Sequence, residues 1–153
     1  ADTEELAMLL RPLGLSKRIQ LLIDAAKHIQ EAHQGEIPTN LAELEAIPGI
    51  GRYTAAAIRA FAFGEHVVPP DVNVLRFLSR VTGLPMNHPP RGSPALLALV
   101  PELTSVAPSP TPEQVLDFCR VVCRPRKPAC TMCPVRKVCV WRHGEHVQKK
   151  TQR

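Results

Sequence analysis

The sequence is poor in aromatic residues: 153 residues include one Trp, one Tyr and four Phe. A core made from it must rest on Leu, Val, Ile and Ala, whose removal from water is the main favourable term in folding. No apolar run approaches the roughly 20 residues that cross a bilayer, so no membrane partner is expected. The first residues carry Asp2, Glu4 and Glu5 where a secretory leader would be basic and then apolar. A cytoplasmic location is therefore expected. Sustained period-two alternation is missing too, so the expected fold class is all-α. Acidic residues thin out along the chain. Residues 1–70 hold 6 Lys and Arg against 9 Asp and Glu, residues 71–153 hold 13 against 5, and from Arg120 onward the ratio is 10 to 1. A basic half beside an acidic half predicts a face for a polyanion. Lys149, Lys150 and Arg153 alone read as a solvated tail.

Proline, by contrast, is abundant, with 16 in the chain and eight of them in residues 85–112. Apolar residues at helical spacing predict a helix over 2–10, with Leu6, Leu9 and Leu10 on one face. A second helix should start at a Ser16 cap and reach about His33, with Ile19, Leu22, Ile23, Ala26 and Ile29 as its buried stripe. Pro38 and Thr39 should start a short third helix. Thr111-Pro112-Glu113-Gln114 is a capping box for another. The expected organisation is a helical lobe over 1–84, a Pro-rich linker with one short helix over 85–110, and a terminal helix, cysteine loop and basic tail over 111–153.

Within the lobe, residues 44–63 read as a helical hairpin around Pro48-Gly49-Ile50-Gly51. Pro48 ends the first helix. The two glycines allow a tight turn with no side chain in the way. The second helix begins at Arg52, and its first N–H groups have no helical partner. Such a turn can bind an anion, including a phosphate. The loop 67–73 then reads Val-Val-Pro-Pro-Asp71-Val-Asn73, with Asp71 opening a further helix to about Val81. On that helix Leu75, Leu78 and Val81 are apolar, and Arg76 and Arg80 lie on another face.

Four of five cysteines follow Cys123-x6-Cys130-x2-Cys133-x5-Cys139. In a cytoplasmic chain this suggests a metal before disulfides. Structural zinc usually takes two close pairs of ligands, and only Cys130 and Cys133 are close. The long gaps suit four thiolates around an iron–sulfur cluster, with zinc as the alternative. Cys119 reads as a core thiol. Arg124, Arg126 and Lys127 occupy the first gap, where two tethered ends would hold them for phosphate contact.

The hairpin and the Pro-Pro-Asp71-x-Asn73 loop together resemble the helix-hairpin-helix/Gly-Pro-Asp superfamily of base-excision DNA glycosylases. The cysteine spacing resembles, gap for gap, the 4Fe-4S loop of endonuclease III and the MutY adenine glycosylases. The resemblance implies a glycosylase fold, a 4Fe-4S cluster on Cys123, Cys130, Cys133 and Cys139, and Asp71 as catalytic carboxylate. It implies a duplex with a mismatched or damaged base as partner, bound at Gly49, Ile50, Gly51, Arg52 and the loop carrying Arg124, Arg126 and Lys127; the expected cytoplasmic location is then nucleoid-associated. A monomer is expected. Endonuclease III has a lysine nucleophile where this chain has Tyr53. Tyr53 and Asn73 look instead like the MutY and thymine-mismatch branches and imply base removal without strand cleavage. The resemblance does not extend to the family's helices before position 1, so the chain reads as a fragment or a truncated member. An inactive DNA-binding module and an endonuclease III-like lyase are the competing readings.

Overall fold

The computed structural model describes residues 3–14, 18–86, 93–105 and 107–144. Among these there is no β-strand, and no helix is long and apolar enough to cross a membrane. The expected Ser16 cap and the basic tail from 145 lie outside the described residues. The chain forms two compact units, 1–55 and 56–153.

The first unit contains α1 (Thr3–Leu10), α2 (Ile19–His33), α3 (Leu41–Ala46) and the start of α4 (Arg52–Phe61). The helices form where the apolar spacing placed them, but burial is thinner than expected. On α2 only Ile19 is buried, Leu22 is 45% exposed, and on α1 Leu9 is 68% exposed. Helix α2 ends with Gln34 in the left-handed region, one residue before Gly35. Helix α3 starts at Asn40, later than Pro38 and Thr39 predicted. The Asn40 side chain accepts from the Ala42 and Glu43 N–H groups at 2.8 and 3.3 Å. An amide oxygen at this position satisfies two otherwise orphaned donors, which Thr39 does not do here.

The second unit is organised on α5 (Val72–Thr82). Val74, Leu75, Phe77 and Leu78 are buried, at the spacing of one helical face. They pack with Val68, Leu96, Val100, Val115 and Cys119. Phe77 meets the Phe118 ring edge-on at 5.3 Å, an arrangement favoured by the ring quadrupoles. Leu96 and Val100 come from the proline-rich stretch expected as a linker. That stretch holds α6 (Pro94–Ala98) and a 3-10 turn (Pro101–Thr104), and it supplies core. Ser93 caps α6 through Leu96 N–H, so proline follows the cap where its missing N–H does no harm. Helix α7 (Pro112–Val121) opens with the predicted capping box. Leu75 is 1% exposed, so Leu75→Ala should lower unfolding free energy by about 2–5 kcal/mol in a urea titration.

Candidate active site and nucleic-acid face

Ile47 is extended, as the residue before a proline must be, and this ends α3. Ile50 N–H closes the turn onto Ile47 C=O at 3.0 Å. The two glycines do different work. Gly49 has φ +79°, and a Cβ there would sit 3.2 Å from Leu21 Cβ, so the protein's own geometry requires glycine. Gly51 has no such backbone angle, and a Cβ there would meet nothing within 4 Å. Folding therefore does not demand Gly51, and the space beside it is open to a ligand. Arg52 is exposed, with Nε 3.8 Å from a Glu45 oxygen. Tyr53 is 49% exposed on α4. We expect Gly51→Val to retain the parent thermal midpoint and to weaken duplex binding about tenfold or more, through lost phosphate approach. Titration calorimetry on both proteins measures it.

Asp71 is the N-cap of α5. Its Oδ1 accepts from Asn73 N–H at 2.8 Å and Val74 N–H at 2.7 Å, and Oδ2 accepts from Asn73 Nδ2 at 2.7 Å. A carboxylate offers about four acceptor sites, so one remains on Oδ2. The carboxylate is half-buried and held at the positive end of a helix dipole. Asn73 is fixed in turn, because its Oδ1 accepts from Arg76 Nη2 at 2.9 Å. Arg76 also donates to the Cys119 and Cys123 carbonyls at 3.1 and 2.9 Å, capping the end of α7 with a cation. Burial, the largest cause, pushes the Arg76 pKa down from its ordinary value. Arg80, one turn on, donates to the Arg124 and Pro125 carbonyls at 2.7 and 2.9 Å and stacks on Trp141 at 4.6 Å. Spacing placed both arginines off the apolar face, but the backbone carbonyls they meet lie 43 to 47 residues away and are not written locally. Arg76→Leu should cost about 1–3 kcal/mol, read from chemical unfolding, since three carbonyl acceptors lose a charged donor.

Cys123, Cys130, Cys133 and Cys139 line one cavity, walled also by Arg80, Val135 and Trp141. Arg80 Nη1 lies 3.5 Å from Cys123 Sγ. Burial first, then the neighbouring Cys123, Cys139 and Cys130, raise the Cys133 pKa, against a lowering backbone hydrogen bond from Val135. Among the described residues no three Cys, His, Asp or Glu side chains are gathered tightly enough to hold a metal ion. A polynuclear cluster spaces its thiolates more widely than one ion does, and four thiols around one cavity fit that donor set. Cys119 is outside this group, fully buried, with its thiol pushed up to about 12 chiefly by burial. It stays a neutral core thiol. The loop carrying Arg124, Arg126 and Lys127 is exposed and closed by Ala129 N–H on Val122 C=O at 2.9 Å.

A helix-hairpin-helix motif matches residues 32–61. The thymine-DNA glycosylase of Aeropyrum pernix is 32% identical over 150 residues, covering 95% of this chain and 67% of that protein. The chain belongs to the helix-hairpin-helix superfamily of DNA glycosylases. This is a family of enzymes, and its members vary in the base named. The human adenine DNA glycosylase is 33% identical over 91% of this chain, but the match covers 26% of that protein. Endonuclease III in a non-covalent complex with DNA superimposes with a TM-score of 0.70 at 25% identity, over 94% of this chain and 66% of that one. The chain thus spans about two thirds of two of these proteins and about a quarter of the third.

Proposed function

We propose that this glycosylase hydrolyses the N-glycosidic bond of a mispaired base and leaves the strand intact. Thymine or uracil opposite guanine is the first substrate to test, and adenine opposite oxidised guanine the second. The observation that carries the reading is the Asp71 carboxylate, fixed by three donors with one Oδ2 acceptor site left. As a base departs, positive charge grows on the sugar. A carboxylate already oriented stabilises that charge without reorganising. The base must first leave the stack, which costs least at a mismatch. The hairpin N–H groups after Gly51 and the cations Arg52, Arg124, Arg126 and Lys127 would hold the duplex by its phosphates. Tyr53 cannot form a Schiff base, which supports removal without strand cleavage. The relatives named for thymine and for adenine support those bases as the ones to test first.

Cys123, Cys130, Cys133 and Cys139 would hold a 4Fe-4S cluster. Its part would be to fix the loop that carries the basic residues.

The test is single-turnover excision on a panel of mismatched duplexes, with products resolved before and after hot alkali. Product that appears only after alkali supports the proposal. Trapping of a protein–DNA adduct by borohydride would overturn the monofunctional mechanism. Binding with no excision on any duplex would leave a DNA-binding module in place of an enzyme.

A further inference from the structure

Beyond the first cysteine gap, the chain carries a second concentration of cations. Arg136, Lys137, Arg142 and His143 line one open cavity of ≈ 280 Å³. That is below the roughly 300–1,000 Å³ of small-molecule sites, and it suits a phosphate group. Residues 131–144 contain no Asp or Glu. Among the described residues no ion pair reaches Arg136, Lys137, Arg142 or His143. Within this stretch the formal charges are all of one sign.

The Arg136 and His143 side chains are held in place, and so is the backbone that carries Arg142. Arg136 Nη1 donates to Thr131 C=O at 2.6 Å, which leaves its remaining N–H donors free. His143 Nε2 bonds the Lys137 carbonyl at 2.8 Å. The Arg142 and His143 N–H groups both bond Cys139 C=O, at 3.1 and 3.3 Å. The 3-10 turn Val140–His143 sits against the far end of α5, where a Cβ on Gly83 would come within 3.1 Å of Val140 Cγ1. Side chains ordered in advance lose less freedom on binding.

We infer that Arg136, Lys137, Arg142 and His143 form a second phosphate-binding site for the DNA backbone, separate from the loop of Arg124, Arg126 and Lys127. The inference rests on the DNA-binding part of the function proposed above. Asp71 opens α5, and the site lies by its other end. Eleven residues of α-helix span about 16 Å. At roughly 3.4 Å per base pair, the phosphates bound here belong to the duplex flank, about four to five pairs from the reacting nucleotide.

The experiment uses the full chain and measures affinity for long and short mismatched duplexes over a salt series. The double variant Arg136→Glu with Lys137→Glu should lower the slope of log affinity against log salt by about 1.8, two contacts at ~0.9 each, on the long duplex. Matched and mismatched duplexes should be affected alike. The difference from parent should vanish on a duplex trimmed to the central pairs. Arg142→Gln, a milder change, should lower the slope by about 0.9. The double variant Arg18→Glu with Lys27→Glu controls for net charge and should leave the slope at the parent value. An unchanged slope in the Arg136 and Lys137 variant, or an equal fall in the control, would overturn the site. A difference that persists on the trimmed duplex would overturn its placement on the flank. Excision is read separately. A parent that binds but does not excise, with the slope still falling in the variant, leaves this site standing while the proposed activity fails.

Discussion

Asp71→Asn is expected to bind a mismatched duplex as the parent does and to excise its base about two to four decades more slowly. The substitution is nearly isosteric and keeps the Oδ1 acceptor for the Asn73 and Val74 N–H groups, so α5 keeps its cap. What it removes is the charge and the second acceptor. At the Oδ2 position an amide would set one NH2 group against another, because Asn73 Nδ2 already points there at 2.7 Å. Asn73 cannot readily turn to relieve this, since its own oxygen is held by Arg76. One lost hydrogen bond costs about 1 kcal/mol, too little to unfold a domain. Asp71→Ser is the companion variant: serine also caps helices but carries no charge. Both variants should melt near the parent and both should lose excision under single-turnover conditions. Undiminished excision by either would remove Asp71 from the chemistry and leave it as a helix cap only.

Cys130→Ser is expected, on the proposed ligand set, to reduce iron from about four atoms per chain to near none and to release the C-terminal loop. From Val122 to Gly144 the only regular structure is the 3-10 turn Val140–His143. Only Cys123 and Cys139 of its residues are buried. The protein's own hold on it includes Arg80's bonds to the Arg124 and Pro125 carbonyls, Arg76's bond to the Cys123 carbonyl, and the packing of Val135 and Val140. A structural metal site can contribute on the order of 10 kcal/mol or more to the segment it ties. The core of α5, α6 and α7 is built mainly from residues outside the loop, Leu75, Leu96 and Val115 among them, with Cys123 and Val135 as the loop's share. The variant should thus keep most of its helical circular dichroism, lose visible absorbance, and become cleavable by protease after residue 122. Duplex binding should weaken as well, because Arg124, Arg126 and Lys127 lose one of two tethers. Cys119→Ala, in contrast, should leave iron unchanged. Iron retained in the Cys130 variant would remove that cysteine from the ligand set, and one zinc with no iron in the parent would replace the cluster.

Much of this protein is decided within short windows of sequence. Helix periods, the Thr111 to Gln114 capping box, the proline stop before Gly49 and the Asp71 cap all act over four residues or fewer, so local chemistry determines them. The cysteine spacing covers a longer window, Cys123 to Cys139, but is still read from one continuous stretch. Only tertiary structure decided what Arg76 and Arg80 do. Their partners are backbone carbonyls more than 40 residues away, and a carbonyl has no residue type that a sequence could reveal. The same holds for the proline-rich stretch: turn residues mark where the chain bends, but burial of Leu96 and Val100 depends on what α5 presents to them. Gly49 and Gly51 look equivalent in sequence, yet one is required by the fold and the other leaves room, because the left-handed backbone at Gly49 and the approach of Leu21 distinguish them. Long-range burial and carbonyl acceptors are properties of proximity, and proximity is set by the packed chain as a whole.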